Sequence, residues 1–276
     1  MRVKQVYCDF GVGFREGVMN RYGLTDARLP ENRNPYEPLL LVGVYNYRMA
    51  NVAIMHNAPV IVYWGGSDST IFRNFGHDTF WAKLFRGMSD RIFHISTSHW
   101  ITEDLQTIGL HPWELPVLLH DQSEVKPYPL GEFVYMYKAD SDLYTGGIYH
   151  KIKSLIPYKI IETTTRPALT YSREQLMEAY KSSFIGLRFT EHDGLSETVC
   201  ELGLMGRRVI HNGDTPNCIP YDPKDIDSIV EAIEHEYWHA RNPNGEAEEV
   251  AKNMKHYLDV GEDWLDTDFY NLAGVI

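Results

Sequence analysis

Phe184-Ile-Gly-Leu-Arg188-Phe-Thr-Glu-His-Asp193-Gly194-Leu-Ser-Glu-Thr-Val-Cys-Glu201-Leu-Gly-Leu-Met-Gly206-Arg-Arg-Val-Ile210 decides the fold class. An apolar run from Ser183 to Phe189 meets an acidic Asp-Gly turn. Leu195, Val199, Leu202 and Met205 then recur at helical spacing, and a second apolar run follows from Val209 to His211. That order predicts a strand, a loop, a helix and a strand. Ligands of such units sit outside the carboxyl ends of the strands, so the loop Thr190 to Gly194 and the first helical turn are expected to face a site.

The same alternation extends in both directions. Val3 to Phe10, Leu39 to Val44, Pro59 to Trp64 and Asp90 to Ser98 read as strands, and Leu115 to Leu119 as a shorter one. Helices are expected over Asn46 to His56, His77 to Met88 (with Phe80, Trp81 and Phe85 inward) and Trp100 to Ile108. Their strands are continuously apolar rather than alternating, as in parallel sheets covered on both faces. After the Pro-rich stretch His120 to Leu130, strands at Glu132 to Lys138 and Tyr158 to Glu162 lead to the central unit. Ser172-Arg-Glu-Gln175 opens an intervening helix with a capping box, and that helix reads as structural. Helices from Ile226 to Tyr237, Glu246 to Leu258 and Trp264 to Tyr270 follow. The expected architecture is α/β: two Rossmann-like domains, 1–125 and 126–276, facing across a cleft, with the last helix crossing back.

Composition narrows the function classes. The 276 residues are 43% apolar, 13% aromatic and 23% charged, as in a globular protein. No apolar run approaches the roughly 20 residues of a membrane span. Cys8, Cys200 and Cys218 are too widely spaced for a zinc site and odd in number, so a reducing, cytoplasmic location is expected. A net charge of −12 argues against a dominant grip on nucleic acid.

Certain residues point to chemistry. Asp193 suits a helix start, where a carboxylate offsets the dipole by about 0.3–1 kcal/mol. Glu201 fits that explanation poorly, because it lies mid-segment between Cys200 and Leu202, where an unpaired buried carboxylate is costly. A diol ligand would resolve the cost by donating two hydrogen bonds to one carboxylate, and Asp193 could hold sugar hydroxyls in the same way. Gly146-Gly147 precedes a helix and is a plausible diphosphate seat. Gly11-x-Gly13-x-Arg15-x-Gly17 follows the first strand, one residue off the dinucleotide fingerprint, and is either an acceptor or phosphate loop or simply a tight turn. Asp68, after the third strand, could contact substrate or cap a helical turn.

The Asp193 to Glu201 spacing, with Gly206 and a short strand beyond, resembles the GT-B glycosyltransferases. Arg188, His192-Asp193-Gly194, Glu201 and Gly206-Arg-Arg-Val resemble their family 4-like branch, which carries an acid-x7-acid motif. The resemblance implies transfer of a hexosyl or pentosyl group from a nucleoside-diphosphate sugar, UDP- or GDP-linked, to a glycan or small hydroxyl acceptor. It implies a donor site in the second domain, with Glu201 on the ribose and Arg188, Gly194, Gly146, Gly147 and Lys138 around the donor. The branch usually places an Arg and a Lys in the phosphate loop; here Lys138 is the nearest cation. Asp193 is the expected catalytic residue on the sugar. Retention is favoured, with Asp68 orienting the acceptor; inversion would make Asp68 the base, ahead of Asp9 and His99. No cofactor is expected, and no metal, since no Asp-x-Asp ends a strand; Asp140-Ser-Asp142 and Asp266-Thr-Asp268 lie elsewhere. Alternatives are a catalytically silent nucleotide-sugar binding module and a nicotinamide-dependent oxidoreductase, the latter lacking an acidic partner beyond the Gly11 loop. A hydroxylated nucleobase in DNA is the outlying acceptor.

Overall fold

The computed structural model describes residues 1–74, 80–138, 147–163, 171–190, 192–242 and 244–272. Packing divides the chain into two compact units: Met1–Asp121 with Asp193–Leu195 and Asp259–Ile276, and Gln122–His192 with Ser196–Leu258.

The first unit runs β1 (Gln5–Cys8), α1 (Val12–Tyr22), β2 (Thr25–Asp26), β3 (Leu39–Val42), α2 (Tyr47–Met55), β4 (Val60–Trp64), α3 (Ser67–Asn74), α4 (Phe80–Gly87), β5 (Ile92–Ser96), α5 (His99–Thr107) and β6 (Trp113–Glu114). Its sheet has the order β2-β1-β3-β4-β5-β6, parallel throughout. The five residues of β4 are all buried. Val60, Val62 and Trp64 join Met49, Ala53, Ile101 and Leu105 on one face, while Ile61 and Tyr63 join Val18, Tyr22 and Trp264 on the other. Continuous apolarity therefore means a sheet covered twice, which leaves only strand ends for polar chemistry.

The second unit runs β7 (Phe133–Tyr137), α6 (Ile148–Leu155), β8 (Ile160–Thr163), α7 (Arg173–Lys181), β9 (Ser183–Leu187), α8 (Glu197–Leu204), β10 (Arg208–Ile210), β11 (Cys218–Ile219), α9 (Ile226–Arg241) and α10 (Glu246–Tyr257). Its sheet, β11-β10-β9-β7-β8, is also parallel. Gly186 lets α8 lie close on β9: a Cβ there would sit 2.6 Å from Leu202 Cδ1. The fully buried Arg207 donates to the carbonyls of Tyr128 (2.7 Å), Pro129 (2.6 Å), Lys181 (3.0 Å), Ser183 (3.1 Å), Tyr180 (3.2 Å) and Met205. It ties the stretch before β7 to the turns around α7 and α8, and burial lowers its pKa to about 10.

The decisive stretch adopts the expected strand, helix and strand as β9, α8 and β10. Elsewhere there are corrections. Leu115 to Leu119 is not a strand; the pairing with β5 is made by Trp113 and Glu114. Phe80 is exposed, and only Phe85 of the three expected aromatics is fully buried. Leu24 to Pro38, rich in Pro, Asn and charge, reads as a long surface loop, but it contains β2, whose two residues extend the sheet beside β1. The last helix is split into a 3-10 turn at Asp263–Leu265 and a short α11 (Thr267–Leu272).

Replacing Arg207 with Met removes donors from buried carbonyls that each lose about 1–3 kcal/mol when left unsatisfied. Urea unfolding should show the second unit destabilised by about 3 kcal/mol or more.

Candidate functional site

Each sheet reverses its strand order at one place: the chain passes from β1 to β2 on one side and returns to β3 on the other, and does the same from β7 to β8 and back to β9. Ligand crevices of doubly wound sheets form at such reversals, outside the carboxyl ends.

In the second unit, Lys138 follows β7 and Arg188 follows β9 at the reversal. The Arg188 guanidinium lies 4.4 Å from the Tyr137 ring centroid and is mostly buried. Lys138 Nζ stands 4.6 Å from the Tyr149 ring centroid and 4.0 Å from Glu162 Oε2. Lys153 reaches the other oxygen of Glu162 at 2.7 Å, so Lys138 shares its carboxylate. Gly147, at φ 71°, is the N-cap of α6, and among the described residues no side chain caps the first helical N–H groups, which favour an anion. Gly146 lies outside the described residues, as do Asp140, Asp142 and Arg166.

Ser196 caps α8, its Oγ accepting from Val199 N at 3.4 Å. Glu201 then falls on the second turn at 1% exposure, where it forms an ion pair with Arg173. Arg173 is the first residue of α7, set there by the Ser172–Gln175 capping box, and its side chain is 46% exposed. The helix read as structural thus supplies the ion-pair partner of a candidate site residue. The only sequence signal was a cation next to a cap. Tyr180, whose hydroxyl donates to Thr198 at 3.2 Å, has its pKa raised by burial and by the nearby Tyr135 and Glu201.

In the first unit, Gly11 is the N-cap of α1, and Gly13 lies in its first turn. A Cβ at either would meet nothing within 4 Å, so the glycines are not required by packing. Arg15 turns inward instead, its Nε 3.2 Å from Asp26 Oδ2. Asp26 ends β2, where a dinucleotide fold would place its ribose acid, but Arg28 Nη2 also holds it at 3.0 Å. Burial works against that carboxylate, yet the bonds from Arg28 and the charge of Arg15 lower its pKa. An acid committed to two arginines does not favour the oxidoreductase reading.

Asp68 sits in the first turn of α3, completely buried, and its Oδ1 accepts from Gly66 N at 2.8 Å. It closes its own turn, the capping role, and burial pushes its carboxyl up to about 7. Tyr45, half-buried, has its hydroxyl pKa raised by burial and by Asp68. Asp193–Leu195 groups with this unit while Glu201 groups with the other. Asp193 Oδ1 accepts from Gly194 N (3.0 Å), its carbonyl accepts from Ser98 Oγ (3.1 Å), and Leu195 N donates to Thr97 Oγ1 (3.3 Å). A Cβ on Gly194 would overlap the Gly65 carbonyl, so glycine is required there. Asp9 is exposed at the end of β1, and His99 opens α5. Asp266 and Asp268 bind the N-terminal amine. Among the described residues no three His, Cys, Asp or Glu side chains are grouped to hold a metal, and no helix is long and apolar enough to cross a membrane.

No protein-family profile and no curated protein sequence matches the chain. Solved structures do. Sucrose-phosphate synthase from Thermosynechococcus elongatus superposes with a TM-score of 0.60 at 9% identity, over 95% of this chain and 77% of that one. An S. aureus TarM variant in complex with fondaparinux, alpha-GlcNAc-glycerol and UDP gives 0.58 at 10%, over 85% and 55%. Anabaena HepE in complex with UDP and glucose gives 0.57 at 9%, over 87% and 78%. The chain spans little more than half the length of TarM. These structures are GT-B glycosyltransferases, and at such identities the similarity shows the fold: two parallel α/β domains of the GT-B type.

Asp68 gives a pH test. Its pKa rises on folding from an ordinary 3.8 to about 7, so the folded chain holds a proton that the unfolded chain releases. The associated stability is complete at acidic pH below the unfolded value and is lost as pH rises through about 7. Asp68→Asn should remove that loss, and urea unfolding should show the variant gaining on the parent chain from pH 4 to about pH 7 and levelling off above it.

Proposed function

We propose that the chain is a glycosyltransferase that moves a hexosyl or pentosyl group from a UDP- or GDP-linked donor, held by the second unit, to a hydroxyl acceptor recognised by the first. The observation that carries this reading is Glu201: a carboxylate at 1% exposure on the helix after the reversal strand, in a GT-B-type fold. A ribose diol supplies the two hydrogen bonds that such a group accepts. Arg173, half-exposed beside Glu201, then adds to Lys138 the positive charge that a diphosphate needs, and the uncapped N–H groups after Gly147 add dipole. Asp193 and Glu201 are read as the acid-x7-acid pair of the family 4-like branch, with Arg188 and Gly194 in its loop.

Transfer is proposed to occur with retention. The bond from the anomeric carbon to the diphosphate oxygen breaks, and the acceptor oxygen bonds the same face. The acceptor's proton passes to the departing phosphate. Asp193 holds sugar hydroxyls, and Asp68 orients the acceptor. Leaving-group charge is met by N–H groups and cations, so no divalent metal is required.

Glu201→Gln should weaken nucleoside-diphosphate-sugar binding by about tenfold or more, about 1.4 kcal/mol, in calorimetry. An effect within about twofold would remove the assignment. Transfer should persist in excess EDTA, and NMR of the product should show the donor's anomeric configuration. Binding without transfer would instead indicate a silent binding module.

A further inference from the structure

A cavity of about 400 Å³ lies within the first unit, between the loop after β2, the helix α2 and the middle of β1. Its lining is unlike the rest of an acidic chain: Arg28, Arg33 and Arg48 share it with Tyr7, Asn51 and His56. Arg28 is held by Asp26, but Arg33 and Arg48 have no carboxylate partner among the described residues. The floor is Tyr7, 1% exposed, whose hydroxyl has no hydrogen-bond partner among them. Leaving a buried hydroxyl unsatisfied is costly, and an acceptor atom entering the cavity would remove that cost. Burial raises the Tyr7 pKa, as does Asp9, while the charges of Arg48, Arg33 and Arg28 act in the opposite sense, so all three guanidiniums bear on that hydroxyl. His56 is committed elsewhere, its Nε2 2.7 Å from the Glu37 carbonyl, and burial lowers its pKa. The remaining walls, Pro30, Pro35, Val52 and Met55, are apolar.

Two uncompensated guanidiniums over an unpaired phenolic donor form a receptor for an oxyanion on a small molecule. We infer that this cavity binds the anionic group, phosphate or carboxylate, of an acidic sugar acceptor, with Tyr7 donating to one oxygen and Arg33 and Arg48 neutralising the charge. The inference rests on the transferase reading for the word acceptor; the anion site stands on the cavity alone.

The test titrates the full chain by calorimetry with glucose 6-phosphate, glucuronate and glucose. Glucose 6-phosphate or glucuronate should bind about tenfold or more tighter than glucose, the tighter of the two identifying the source of the anion. The R33Q/R48Q double variant should lose about tenfold or more of that affinity, and Tyr7→Phe, which keeps the ring, about threefold. Equal binding of all three sugars overturns the proposal, as does acid-sugar binding that the double variant leaves unchanged. UDP-glucose and GDP-mannose, titrated into the same proteins, separate the two readings. Unchanged donor binding in the double variant supports the assignment, and its loss would place donor phosphate here and overturn it. Acid-sugar binding lost in the variant, with no nucleotide-sugar binding by the parent chain, leaves the anion site standing and sinks the transferase.

Discussion

Every strand of the two sheets pairs in parallel, and parallel pairing governs where polar chemistry is possible. Central strands such as β4 are apolar along their whole length because helices cover both faces, so no functional group can emerge mid-sheet. What remains are the carboxyl ends and the first turns of the helices that follow them. Asp68, Gly147 and Arg188 all occupy such positions, and Glu201 lies one turn further on. The reversals at β1 and at β7–β9 then select one region of each unit.

Buried and partly buried charges are handled in four ways. Arg207 is satisfied by carbonyl dipoles alone and serves the fold. Asp26 is satisfied by arginines and holds β2 in place. Glu201 is paired with a half-exposed arginine, a partner able to turn towards solvent or ligand. Asp68 relies on backbone N–H groups and is left with a pKa near neutrality, pushed up to about 7 by burial. A structural role explains the first two fully. The last two retain capacity that a ligand or a proton can use, and chemistry is assigned to them for that reason.

Much of this was legible in the sequence because the signals were local. Most of the apolar runs and the Ser172 capping box each act over a few residues and take the expected local form. The misses depended on distant partners. Arg173 reads as a surface cation until α7 packs beside α8, and Tyr7 reads as one more strand aromatic until Arg33 and Arg48, from other elements, surround it. Asp26 looked like part of a loop because a two-residue strand has no period to detect. Leu115 to Leu119 showed the converse error: its apolarity fills the core beneath the sheet, with Val117 and Leu119 buried beside Trp264, and makes no ladder.

Hydrogen–deuterium exchange of the full chain with and without saturating nucleotide sugar tests the central claim most directly, because it locates the donor without presupposing a residue. Protection is expected in the segments from Gly147 into α6 and from Ser196 through α8, together with the start of α7 at Arg173. Protection confined to Gly11 through α1, with those segments unchanged, would place the nucleotide on the first unit and contradict it.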